Sequence, residues 1–157
     1  MLDQEPIAAL ATGRPPSAIA IIRLSGDGVF ALVEPFLKTK SDVALLSDAW
    51  THRKQHLLDF CEPESQSSID QVLLTTFQGP RSFTGQDSVE IACHGGPFVV
   101  QKVLDALLDE GFRLARPGEF SKRAFLHGKM DLTQVEGLKS LIEACSAEQF
   151  QVCLLYT

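Results

Sequence analysis

The chain has 157 residues, enough for one domain with a real core, and its 45% hydrophobic and 22% charged content is that of an ordinary globular protein. Its formal net charge of −6 excludes a chain that clamps nucleic acid over its whole surface. No apolar run approaches the roughly 18 residues of a membrane-crossing helix, and the acidic start MLDQEP is not a secretory signal. Four cysteines (Cys61, Cys93, Cys145, Cys153) show no CxxC pairing and no framework spacing. Free thiols in a reducing cytoplasm are therefore expected.

Taken in order, Thr12–Ala18 (TGRPPSA) is a loop, because its glycine and prolines exclude regular structure. Ile19–Leu24 (IAIIRL) is short, β-branched and apolar, which predicts a strand buried on both faces. Arg23 lies near its end. A charge in such a run needs a partner, either a carboxylate of the protein or an anionic ligand. Ser25-Gly26-Asp27-Gly28 turns into a short helix, Val29–Glu34, with Phe30 and Val33 on one side and Pro35 as its limit. Thr39–Asp48 is polar and ambiguous. Trp50–Leu58 reads as an edge strand, Glu62–Ser68 as a turn and Ile69–Phe77 as the returning strand of a hairpin. His52 and His56 stand four apart, but the segment reads as extended and no third ligand is near in sequence, so no metal site is expected.

Gln78–Asp87 (QGPRSFTGQD) is a long loop, a length often tied to function. Ser88–Cys93 alternates, with Val89, Ile91 and Cys93 on one face and Ser88, Glu90 and Ala92 on the other. Glu90 is thus a carboxylate planted in mid-strand. It is either a solvated surface residue or a pocket residue able to accept two parallel N–H bonds from a planar ligand. His94-Gly95-Gly96-Pro97 forms a strand-to-helix turn whose glycines permit close approach of a ligand or a second backbone. A core-packing helix follows, with Val99, Val100, Val103, Leu104, Leu107 and Leu108 as its stripe, ended by Gly111.

Phe112–Arg116 alternates and predicts a strand, broken by Pro117-Gly118. Glu119–His127 reads as a short helix with Phe120, Ala124 and Phe125 inward, stopped by Gly128, with Lys129 on the exit turn. Asp131 and Gln134 form a capping-box pair at the start of another helix, striped by Leu132, Val135, Leu138, Ile142 and Cys145. That helix is expected to run toward the terminus, where Val152–Thr157 is apolar and has no stop signal, so a partner surface, a second chain or a truncated polypeptide is expected. Between Arg113 and Lys129, five basic residues face one acid, a local +4 that leaves −10 on the rest. This segment is either a solvated helix face or a basic face suited to an anionic small ligand or a few phosphates. No GxSxG, HExxH or GxGxxG is present. The Gly128-Lys129 pair fails as a P-loop, because Arg123 and Met130 occupy the positions of its first glycine and its hydroxyl residue.

The motifs IIRLSG, PRSFTGQDSVEIACHGGP and LARPGEFSKRAFLHGKMDLTQVEGL, in that order, closely resemble the N-terminal part of the MnmE (TrmE) family of tRNA-modifying GTPases. The likeness covers residues 6–147. It implies an α+β fold: half of an aminomethyltransferase-like folate-binding fold, a mixed sheet with packed helices, followed by the first helix of an incomplete helical domain. Residues 1–117 would be the folate-binding and dimerisation core, 118–130 the helix and turn completing it, and 131–157 the start of the helical domain. The cofactor implied is 5-formyl- or 5,10-methylene-tetrahydrofolate, and the family's folate contacts fall on Arg23, Glu90 and Lys129. The implied partners are a second copy of the chain and, for the full-length family, an MnmG-type flavoprotein and tRNA, with no membrane. GTP, Mg and K are not expected here, since the GTPase domain is missing. The loop at Thr12–Ala18 departs from the family's glycine-rich Pro-Pro-Gly pattern. Two other readings are a stand-alone folate-dependent aminomethyltransferase-like enzyme, which would need a second half-domain, and a dimerisation remnant without ligand binding.

Overall fold

The computed structural model describes residues 4–38 and 53–146. Among these, seven strands form one sheet: β1 (Ile7–Leu10), β2 (Ile19–Ser25), β3 (Leu37–Lys38), β4 (Gln55–Cys61), β5 (Ser68–Phe77), β6 (Ser88–His94) and β7 (Arg113–Leu114). Their spatial order is β3-β4-β5-β6-β2-β1-β7. Neighbours are antiparallel except β1 and β7, so the sheet is mixed and the fold α+β, as expected. The helices are α1 (Val29–Val33), α2 (Pro97–Asp109), α3 (Glu119–Leu126) and α4 (Leu132–Glu143). Val29 and Val33 of α1 are buried, and Pro35 enters a 3₁₀ turn (Glu34–Phe36) rather than continuing α1, because its ring forbids the next helical hydrogen bond.

The core lies between α2 and one sheet face. Val100, Val103 and Leu107 pack with Ala20, Ile22, Leu24, Val72, Leu74, Val89 and Ile91 in one buried cluster. The period-3.6 stripe of α2 and the period-2 alternation of β6 both appear as read. Gly95 lies so close to Ser17 that a Cβ there would strike its backbone and hydroxyl, and Ser17 N donates to Gly95 O at 3.0 Å. The close approach permitted by this turn therefore serves a second backbone.

The structure corrects several expectations. β1 was not foreseen, because IAAL is short and alanine-rich; it forms through its neighbours, β2 on one side and β7 on the other. β2 is not buried evenly on both faces, with Ile19 63% exposed, since among the described residues α1 and α2 cover one face and the other is covered only in part. On the open face Ile21, Ala92, Leu73 and Leu57 stand directly opposite one another in a row across four strands. β4 is not the edge, because β3 pairs outside it. The strand expected at 112–116 shrinks to two residues. Phe125 points outward, while Glu119, Arg123 and Ala124 are the buried residues of α3, because a charge cluster captures that face. α4 stops at Glu143, where Ala144 turns extended, and its apolar stripe stays largely uncovered, with Gly137 its buried residue. The segments Thr39–Asp48 and Val152–Thr157, with Trp50, His52 and Cys153, lie outside the described residues.

Candidate functional site

Two of the three residues singled out from sequence meet in the middle of the sheet. β2 and β6 are adjacent and antiparallel, in a register that sets Arg23 directly opposite Glu90. Strand alternation turns both side chains to the face away from α2. Arg23 donates from Nε and Nη2 to the same oxygen, Glu90 Oε1, at 2.9 and 2.8 Å. Both side chains remain partly open, at 29% and 28% exposure. Of the two partners left open for Arg23, a protein carboxylate is therefore present, and it is Glu90.

Two aromatic rings flank this pair. The Arg23 guanidinium lies 5.2 Å from the ring centre of Phe83 in the 78–87 loop and 5.8 Å from that of Phe120 on α3. In the sequence Phe120 reads as a core residue of its helix, and Phe83 lies unmarked in its loop. Only the packing of loop and helix over β2 discloses their shared role. Beside Arg23 opens a cleft of about 330 Å³, walled by Ala9–Ala11 of β1 and its exit, by Ala115–Gly118 and by Phe120.

The loop that carries Phe83 is pinned from below. Ser25, Thr84 and Ser88 share hydroxyl hydrogen bonds of 2.7, 3.1 and 3.3 Å in a buried triangle, and Gly79 N donates to Asp87 Oδ1 at 2.8 Å. Lys129 joins this loop rather than the ion pair: its Nζ donates to Pro80 O at 2.9 Å. Gly85 has φ +80, and a Cβ there would stand 2.8 Å from His127 Cβ, so loop and helix exit lie flush. Arg23 and Glu90 are thus brought together, and Lys129 is linked to them through the loop.

Behind this wall sits a cluster centred on Glu119. Arg113 donates from Nη2 and Nη1 to its two oxygens at 2.6 and 3.0 Å, Arg116 N donates at 2.8 Å and Arg123 Nη2 at 3.1 Å. Arg113's hydrogen bonds hold the Glu119 carboxyl down to about 2, against the opposing effect of burial, with the Arg116 amide and Arg123 assisting. The same contacts push the Arg113 guanidinium up. Arg113 and Arg123 are therefore engaged in this cluster and do not contribute to a free cationic face.

A larger groove of about 500 Å³ lies elsewhere, against α2 and the β4–β5 turn. It is lined by Glu62, Glu64, Asp105, Asp109 and Glu110 with Lys102 as its cation, a charge balance that repels an anionic ligand. His56 lies on β4, and among the described residues no cluster of three or more His, Cys, Asp or Glu could hold a metal. Burial pushes the Cys93 thiol up to about 11, with the Asp70 charge adding to it, which keeps it protonated and inert. Among the described residues no helix is long and apolar enough to cross a membrane.

The sequence profile described as "GTP-binding protein TrmE N-terminus" matches residues 6–129. The chain is 42% identical over 152 residues to the tRNA modification GTPase MnmE of Thermotoga petrophila, covering 96% of this chain and 31% of that protein. It is 44% identical over 143 residues to the protein of the same name from Lachnoclostridium phytofermentans, covering 91% and 31%. With that of Lysinibacillus sphaericus the figures are 41% over 154 residues, covering 98% and 33%. The chain spans about a third of the length of these curated relatives. With the family's profile over most of its length, the chain belongs to the TrmE N-terminal family.

Proposed function

We propose that this chain is the tetrahydrofolate-binding and dimerisation module of a tRNA-modifying GTPase. The observation that carries this reading is the Arg23–Glu90 pair beneath Phe83 and Phe120 at the mouth of the cleft, in a chain of this family. The donor set suits a pterin. Glu90 presents a carboxylate that can accept the ring N–H and the adjacent amino group as two parallel bonds. Phe83 and Phe120 offer faces for a flat ring. Arg23, already held by Glu90, meets polar oxygens of the ligand, and Lys129 lies on the exit turn where an anionic group can reach it.

When bound, a 5-formyl- or 5,10-methylene-tetrahydrofolate supplies a one-carbon unit for modification of a tRNA wobble uridine. This chain's part is to bind and orient that donor. GTP chemistry, tRNA contacts and an MnmG-type flavoprotein partner belong to the longer proteins of the family. The apolar row on the open sheet face supports a second copy as partner, completing an aminomethyltransferase-like arrangement from two halves. Buried free thiols at Cys61 and Cys93 suit the cytoplasm.

Calorimetric titration with 5-formyltetrahydrofolate tests the reading. The folded wild-type chain is expected to give a saturable heat. Glu90→Ala is expected to weaken binding by about tenfold or more, the equivalent of one lost charge-assisted hydrogen bond. No heat from folded protein at high ligand concentration would sink folate binding and favour a dimerisation remnant. Unchanged affinity in Glu90→Ala would sink the site.

A further inference from the structure

Arg123 is the largest fully buried side chain of the described residues, and it is a charged one. Its guanidinium forks. Nη1 donates to Gln86 Oε1 at 3.0 Å, and Nη2 donates to Glu119 Oε1 at 3.1 Å. Its Nε is buried without a hydrogen-bond partner. A fold needing only a filled space would be served as well by an apolar side chain of similar volume, since buried ion pairs contribute little net stability against such replacements. A buried arginine with one donor unsatisfied is a costly choice for packing alone.

Its two partners belong to the two segments that each bring an aromatic ring to Arg23. Gln86 ends the loop that places Phe83 over Arg23 and Pro80 O against Lys129. Glu119 begins the helix that places Phe120 over Arg23 and then leads to Lys129. The planar fork can serve both segments at once, whereas a lysine ammonium offers a single point of charge.

We propose that Arg123 is a positioning residue for the folate cleft, joining the Phe83 loop to the Phe120 helix so that both rings and Lys129 stand in binding geometry before a ligand arrives. This inference rests on the folate reading given above. It differs in assigning a role to a residue that touches no ligand.

The test is a double-mutant cycle on the full chain with Arg123→Met and Gln86→Leu, read by 5-formyltetrahydrofolate titration and by thermal unfolding. Each single variant is expected to remain folded and to bind about tenfold more weakly, while the double variant binds no worse than either, because both cut the same link. Arg123→Lys is expected to bind as weakly as Arg123→Met, since charge without the fork does not restore the link. Wild-type affinity in a folded Arg123→Met chain overturns the inference and leaves the folate reading standing. Should Arg123→Met not fold, Gln86→Leu decides alone: unchanged affinity overturns the inference. Losses that simply add in the double variant also overturn it, because they show two independent defects. Absence of binding by the wild type overturns the folate reading and this inference with it.

Discussion

Four N–H groups converge on Glu119 and make its carboxylate sensitive to acid. Its carboxyl is held at about 2 against an ordinary 4.5. A depressed folded-state value contributes stability that is complete above the unfolded value and is lost as pH falls through the folded one. The wild type should therefore lose on the order of 3 kcal/mol from this group as pH falls from about 4.5 to about 2. Glu119→Gln cannot titrate, so its loss over that window should be smaller by that amount. Parallel stability curves for the two proteins, measured by urea unfolding across the window, would refute this account. Such a residue was hard to find by pattern. In RPGEFSKR the glutamate reads as a helix-start acid with Arg123 one turn on, and only the fold brings Arg113 to it from the neighbouring strand.

At the level of elements, α2 and α4 present opposite cases. Both have an apolar stripe in sequence, yet α2 is seated on the sheet while α4 keeps Leu132 60% and Ile142 77% exposed. α4 leans instead on its start, where Gln134 N donates to Asp131 Oδ1 at 2.8 Å and Asp131 N donates to Gln134 Oε1 at 3.0 Å. Asp131→Ala should remove about 1 kcal/mol from that helix. With so little of α4 buried, the loss should appear as faster hydrogen exchange at Gln134 and Val135 and leave the melting temperature of the sheet unmoved. A lowered global melting temperature with unchanged exchange would show that α4 is coupled to the core after all. The capping box was legible because its donors and acceptors lie within four residues; the fate of the stripe was not, because it depends on what else is present to cover it.

For the whole molecule, the one-sided sheet is the consequential feature. α1 and α2 bury one face and leave the row Ile21–Ala92–Leu73–Leu57 open on the other, with Leu57 62% and Leu73 43% exposed. A second copy covering this row would add a layer over the part of this face that the described residues leave open. Light scattering should show a dimer for the wild type, and Leu73→Glu should convert it to a folded monomer, because the position is exposed in the single chain. A monomeric wild type at high concentration, or an undisturbed dimer in the variant, would rule this face out.

Much of the architecture was determined by sequence alone, for local reasons. Alternation in SVEIAC, 3.6-residue spacing in PFVVQKVLDALLD, the stop at Gly128 and the cap at Asp131 each depend on neighbours a few residues away, and each appears as read. Alternation also placed Glu90 opposite the core side, and the lone charge in IAIIRL marked Arg23 as needing a partner. What tertiary structure decided was which partner, and on which wall. Strand register paired Arg23 with Glu90 across 67 residues of sequence, and loop packing brought Phe83 and Phe120 to the same guanidinium. Burial of Arg123 between Gln86 and Glu119, and exposure of Phe125 in its stead, followed from the same assembly. Hydrogen bonding within a turn is written in adjacent residues, whereas contact between a loop, a strand and a helix exists only after the sheet has set their distance.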